Sequence, residues 1–263
     1  MTKTQPYRGT QAVLRAISLL KVFTDARPEW SLTELAGAVG LNKTTTYRLL
    51  TALESEELLE HHPETETYRL GLGSITLGGY ALRAHDLRAL CQPELRALAA
   101  AAKETAALEL LTGAEVLILD EVTGDRVMSG GQAIGTRWPA YATSTGKAML
   151  AALGDAEATA VLPSSWPALT PCTLPDRAAL LADLAQTRAR GYAIADEELE
   201  VGLVAVGAPL LDVDGRVVAA ISLAGPKTRL PDGRIAEIGP LVAAAARRIS
   251  IYLGDVPDME KRD

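Results

Sequence analysis

The chain has 263 residues, 48% of them apolar, enough for one large domain or two small ones with ample core. Its net charge of −7 disfavours non-specific adhesion to nucleic acid or to acidic membranes. No uninterrupted apolar run reaches bilayer length, the N-terminus lacks an apolar signal-like core, and Cys91 and Cys172 stand far apart without metal-ligand spacing; a reduced cytoplasmic protein is expected.

Residues 1–9 are polar, with Pro6 and Gly9, and read as a flexible tail. From Thr10, Val13, Ile17 and Leu20, with Ala16 and Phe23, predict a helix that stops before Pro28. "SLTE" then places Ser31 and Glu34 at capping-box spacing, with Thr33 as the alternative cap. The short helix it opens halts at Gly40, and Asn42 caps the next, which should run to about Glu57. "LLEHHPETETYRLG" is two strand-like runs around a polar turn at Pro63–Glu66. Helix, helix, turn, helix and hairpin outline a winged helix-turn-helix over residues 10–71. Residues 72–86 predict a linker helix, about Ile75 to His85, with glycines loosening its ends.

A second domain, residues 87–256, opens with "LRALCQPELRALAAAAKE", a helix interrupted or kinked near Pro93. "AALELL", "EVLILDEV" and "RVMSG" are strand-like; "STGKAMLAAL" and "AEATAVL" read as helices. "PDRAALLADLAQTRARG" is a bounded helix, with Pro175 near its start and Gly191 past its end. Two long strands meet at Asp214-Gly215, and the helix "IAEIGPLVAAAARRISIYL" closes the domain before a short tail, 257–263. Hairpin-paired strands flanked by helices predict an α+β fold with a central antiparallel sheet.

On the helix from Asn42, Thr46, Leu49, Leu50 and Leu53 share one face, which must be the buried one. Thr44, Arg48 and Thr51 fall opposite, with Thr45 and Tyr47 on the flanks. Such a face suits a major groove, because Arg forks to guanine and Thr offers a hydroxyl to phosphate and a methyl to thymine. Asn42 and Lys43 stand at the helix start, where side chains and free N–H groups meet phosphate. The competing reading is an ordinary solvated helix face. Residues 1–71 carry eight Lys and Arg against nine Asp and Glu, so non-specific affinity for DNA should be modest. Affinity must then come from base contacts and from several copies acting on a repeated site.

"LTELAGAVGLNKTTTYRLLTAL", "YATSTGKAMLA" and "RGYAIADEELEVGLVAVGAPLLDVDGRVVAAISLAGPKTRL" resemble, in order and spacing, the IclR family of bacterial transcriptional regulators, over about Gly9 to Gly254. The resemblance implies a winged helix-turn-helix, a linker helix and a GAF-like effector-binding domain. It also implies dimers, often paired into tetramers, on palindromic or repeated double-stranded operators, and a small organic acid effector. Thr46 departs from the usual core of two packed helix-turn-helix helices, which most often takes Val or Ile there. The implied effector pocket lies between "YATSTGKA" and the later strands, which makes Trp138, Tyr141, Ser144, Thr145 and Gly146 candidates on one side. Ala195, Asp196, Leu203, Ala205, Ser222 and Ala224 are candidates on the other. Ser144, Thr145 and Gly146 match the positions whose backbone meets a carboxylate, as the free N–H groups of a helix start can.

Family members that bind small oxo-acids tend to carry Asp, Cys, Ser and Ser where this chain has Ala195, Ala205, Ser222 and Ala224. Three polar contacts are thus replaced by methyl groups, and each lost hydrogen bond forfeits roughly 1 kcal/mol. "DEELEVGL" resembles the branch that regulates aromatic-acid catabolism, so an aromatic or hydroxyaromatic acid is the expected effector. "TSTGKA" is not a phosphate loop, because Tyr141 and Ala148 stand where Gly and a hydroxyl residue are needed. Asp196, Glu197, Glu198 and Glu200 lack a nearby His or Cys and read as a solvated loop, and no metal or cofactor is expected. An enzyme or metal-sensing domain carrying a DNA-targeting module is the alternative; no nucleophile elbow, His-carboxylate pair or zinc helix supports it. A third reading, a protein-interaction module that has lost DNA, is opposed by the polar face of Thr44, Arg48 and Thr51.

Overall fold

A computed structural model describes residues 10–124 and 133–255, and the chain divides into two compact units, Met1–His85 and Asp86–Asp263. The tails expected at 1–9 and 257–263 and the strand-like run 126–130 lie outside the described residues.

The first unit starts with α1 (Gln11–Leu20), which ends well before Pro28 because the chain turns into a Thr24–Arg27 bridge. Its buried side chain is Leu19, whereas Val13 and Ile17 are exposed. The periodicity located a helix but not the side facing this core. A two-residue strand, β1 (Trp30–Ser31), leads into α2 (Leu32–Ala38), where Ser31 and Glu34 form both halves of the capping box. Gly40 turns the chain at φ +67, and α3 (Lys43–Ser55) begins as Asn42 Oδ1 accepts the Thr45 N–H at 2.8 Å. Helix α3 stops short of the expected Glu57, which takes φ +57. Strands β2 (Leu59–His62) and β3 (Thr67–Leu70) form the hairpin, and β1 joins the edge of β3. Leu19, Leu35, Leu50, Leu53, Leu59 and Tyr68 form the core. Thr46 is fully buried, its hydroxyl donating to the Asn42 carbonyl at 3.0 Å, so the departure from Val or Ile leaves no polar group unpaired. Helix α4 (Leu72–Arg83) starts earlier than its glycines suggested. Gly71 and Gly73 let its first turn lie on the backbone of residues 56–59, where any Cβ would collide.

The second unit opens with α5 (Asp86–Ala102), continuous through Pro93 and burying Leu87, Cys91, Leu95 and Leu98 along one side. Strands β4 (Thr105–Thr112), β5 (Glu115–Val122) and β6 (Arg137–Pro139) follow, then a single 3-10 turn over Ala140–Ala142. Helices α6 (Ser144–Leu153), α7 (Asp155–Val161) and α8 (Arg177–Arg190) precede β7 (Ala193–Asp196), β8 (Leu203–Leu211), β9 (Val217–Pro226) and α9 (Asp232–Asp255). Asp176 caps α8 and Gly191 ends it in the left-handed region. The six strands form one antiparallel sheet in the order β6-β5-β4-β9-β8-β7. The edge strands β6 and β7 were not expected, being too short to show alternation.

Helices α5 and α9 pack on one face of this sheet, and α6 packs on the other with α8 beside it. Alternation along β8 therefore turns Ala205 and Gly207 toward α6 and Ala208 toward α9. A Cβ on Gly207 would lie 2.8 Å from the Ser144 carbonyl carbon and the Thr145 nitrogen, so only glycine allows the helix start to come this close. No described helix is long and apolar enough to cross a membrane. Gly207→Ala should push α6 from the sheet and destabilise the protein by about 1–3 kcal/mol in chemical denaturation; an unchanged midpoint would show that the contact is slack.

Candidate functional site

The face of α3 predicted to meet DNA is open. Asn42, Lys43, Thr44, Tyr47, Arg48 and Thr51 are exposed and Thr45 is half-buried, while Thr46, Leu50 and Leu53 are buried. Thr51 turns its hydroxyl back to the Tyr47 carbonyl at 3.0 Å, and Asn42 is engaged as the helix cap. Lys43, Thr44 and Arg48 have no side-chain hydrogen bond or ion pair among the described residues. Their donors are available to something outside the chain.

In the second unit, a cavity lies at the start of α6. Trp138, Ala142, Thr143, Ser144 and Thr145 line one side; Ala195, Leu199, Leu203, Ala205, Ser222 and Ala224 line the other, with Glu109 between them. Thr143 caps α6, accepting the Gly146 N–H at 3.2 Å, so the N–H groups of Ser144 and Thr145 are the ones without an intrahelical partner. The Trp138 indole N–H is buried and unpaired. The cavity leaves about 20 Å³ for the centres of water molecules, room for roughly one of them. A larger groove of about 550 Å³ opens between β8 and α9 on the opposite face of the sheet. Its walls are mostly methyl and methylene groups around Ala208, Leu211, Val213 and Ala246; Arg247 adds a charge and the Ser250 hydroxyl is spent on Leu211 and Ala246, so the smaller cavity, with its helix start and buried Trp138 N–H, is the better candidate.

Eight of the eleven candidate effector residues thus meet at one place. Tyr141 turns away from it, donating its hydroxyl to the Pro167 carbonyl at 3.1 Å and stacking on Trp166. Gly146 packs on the Ala140 backbone, and Asp196 pairs with Lys227. Glu109, Ala142, Thr143 and Leu199 line the cavity without having been foreseen. The acidic stretch is not wholly solvated either. Glu198 is buried, and Lys147, fully buried, reaches its Oε1 at 2.6 Å and Asp183 Oδ2 at 3.0 Å. That network pins the turn carrying Leu199 to α6 and α8. Among the described residues no group of three or more His, Cys, Asp or Glu is placed to hold a metal.

Glu109 is the electrostatic anomaly. It is 4% exposed, sits mid-strand in β4 and has no cationic partner among the described residues. The Thr145 hydroxyl donates to its Oε2 at 2.6 Å and Ser222 also hydrogen-bonds to it. Burial nonetheless outweighs these bonds and pushes the carboxyl up to about 7, with Glu121 adding repulsion. Because the folded value exceeds the unfolded one, the folded chain holds a proton that the unfolded chain has released between about pH 4.5 and 7. Stability is therefore lost as pH rises through that window, by roughly 3 kcal/mol in all. Glu109→Gln removes this loss: its urea midpoint should exceed the parent's at pH 8 but not at pH 5, and an equal difference at both would contradict a neutral Glu109.

Residues 79–251 match the family described as the bacterial transcriptional regulator IclR C-terminal domain, and residues 12–63 match the IclR helix-turn-helix domain. The chain is 34% identical over 255 residues to the transcriptional repressor IclR of Escherichia coli K12, covering 95% of this chain and 93% of that one. An IclR transcriptional regulator from Alicyclobacillus acidocaldarius shares the structure with a TM-score of 0.81 at 26% identity, over 92% of this chain and 98% of that one. An IclR homologue from Microbacterium hydrocarbonoxydans, solved with 4-hydroxybenzoate, shares the fold with a TM-score of 0.76 at 24% identity, over 92% and 99% of the two chains. With both of its parts matched and a relative aligned along nearly its whole length, the chain belongs to the IclR family of bacterial transcriptional regulators.

Proposed function

We propose that α3 reads a palindromic or repeated operator through Lys43, Thr44, Tyr47 and Arg48, and that an aromatic or hydroxyaromatic acid entering the α6 cavity shifts operator affinity. Family membership makes the chain a ligand-responsive, DNA-binding transcription regulator and not an enzyme. The observation that carries the DNA reading is the exposed, unpaired set Lys43, Thr44 and Arg48 on a helix whose other side is core. Asn42, Thr45 and Thr51 support the helix locally and border the same face.

For the effector, the free N–H groups at Ser144 and Thr145 and the unpaired Trp138 indole N–H favour an acceptor-rich, anionic head. The methyl groups of Ala195, Ala205 and Ala224 favour an apolar body over a small oxo-acid. The fold of the Microbacterium protein accommodates 4-hydroxybenzoate, which is a precedent for the architecture alone. No ring fits the closed cavity, so the effector enters with an opening of the lining. Self-association into dimers or tetramers is favoured by the exposed Val13, Leu14 and Ile17 of α1 and Leu72, Ile75, Leu77 and Tyr80 of α4. In such an assembly the effector shifts the population between arrangements that suit or do not suit the operator, with residues 72–86 joining the two units. The coupling is limited to about 1–3 kcal/mol.

Arg48→Ala should abolish the DNase footprint while leaving the melting temperature unchanged; an intact footprint would revive a protein-interaction role. A thermal-shift panel should rank benzoate, 4-hydroxybenzoate and phenylacetate above glyoxylate and pyruvate, and the reverse order would overturn the aromatic preference.

A further inference from the structure

The cavity holds two features that conflict electrostatically. The start of α6 attracts an anion, while Glu109, on the strand beneath, presents a carboxyl to the same small space through Thr145. An ionised Glu109 about 4 Å from a bound carboxylate would weaken binding on the order of a thousandfold. Burial already disfavours the ionised form, and no Lys, Arg or His pairs with Glu109 among the described residues.

We propose that Glu109 is a specificity residue of the effector site: it stands protonated beside the ligand, its carboxyl O–H donates to an oxygen of the ligand's carboxylate, and binding takes up one proton from solvent. This rests on the reading that a carboxylate occupies the start of α6. The groups facing Glu109 fit the role. From α6 come Thr145, which donates to Oε2, and Ser144; from β9 come Ser222 and Ala220; from β5 comes Ile118, with Glu121 further along as the one charged neighbour among the described residues. Lys147, although on α6, is engaged with Glu198 and Asp183 and does not neutralise the site. With one Glu109 oxygen receiving the Thr145 hydroxyl, the other carries the proton that bridges to the ligand. The balance is one proton gained per carboxylate bound, with no covalent change. A carboxylate neighbour then holds that proton more tightly than the empty site does. The device selects a monoanionic acid over a neutral amide or ester of the same shape, which offers the helix start no charge. It also makes the regulator more responsive at lower pH.

Isothermal titration calorimetry of the full chain tests this with whichever of benzoate, 4-hydroxybenzoate, phenylacetate, pyruvate and glyoxylate binds. At pH 8, titrations in Tris and in phosphate, which differ in ionisation enthalpy, should give apparent enthalpies corresponding to about one proton taken up per site. Affinity should fall about tenfold per pH unit above 7. Glu109→Gln, which offers a fixed amide donor, should bind without proton uptake and with affinity flat in pH; its fold is checked by circular dichroism. Binding to the parent protein with no proton uptake would overturn the inference and leave the carboxylate reading standing, as would equal uptake by parent and variant. Failure of all five acids to bind between pH 6 and 8 would overturn the carboxylate reading and the inference together.

Discussion

Helix α6 can start against strand β8 only because residue 207 has no side chain, and the rest of the effector domain is organised around that contact. The close approach brings the free N–H groups of Ser144 and Thr145 over the sheet surface that carries Glu109, Ala205 and Ser222. It also draws Thr145 onto Glu109 and sets Lys147 deep enough to be reached by Glu198 and Asp183. A helix start, a buried carboxyl and a turn tied down by a buried ion pair therefore form one mechanical unit. Moving any of them disturbs the others. Such coupling is what a sensor needs, since a ligand shifts an equilibrium only by what it gains in one state over the other.

Local signals were legible in the sequence where the physics was local. Ser31 with Glu34, Asn42 before α3, Gly191 after α8 and Asp214-Gly215 between β8 and β9 each act within a few residues, and each is where its spacing placed it. The polar face of α3 was legible for the same reason, because the helical period alone separates Leu50 and Leu53 from Arg48 and Thr51. What depended on distant partners was not. Val13 and Ile17 have the spacing of a core stripe, but which side of α1 is buried depends on α2 and α3. Tyr141 stood in a ligand-like motif until the Pro167 carbonyl, 26 residues away, claimed its hydroxyl.

Glu109 and Lys147 are the two most consequential omissions. Both are charged residues set in apolar surroundings in sequence, "AALELL" and "STGKAMLAAL", and a charge inside such a run marks a buried, partnered group. That signal was present. Its meaning was not, because the partners Thr145, Glu198 and Asp183 lie 36, 51 and 36 residues away. The near-neutral charge of residues 1–71 carries a related lesson: few phosphates can be neutralised, so non-specific attraction to DNA is weak and the face of α3 has to read bases to bind well.

On the proposed function, the small polar cavity at the start of α6, and not the larger groove between β8 and α9, receives the effector. Backbone amide NMR of the full chain, titrated with the tightest-binding acid, tests it most directly. The largest shifts are expected on the amides of Ser144 and Thr145, the proposed carboxylate donors, with smaller ones along β8 at Ala205 and Gly207. Shifts concentrated instead at Gly191, Val213 and Ser250, which line the groove, with Ser144 and Thr145 unmoved, would contradict it.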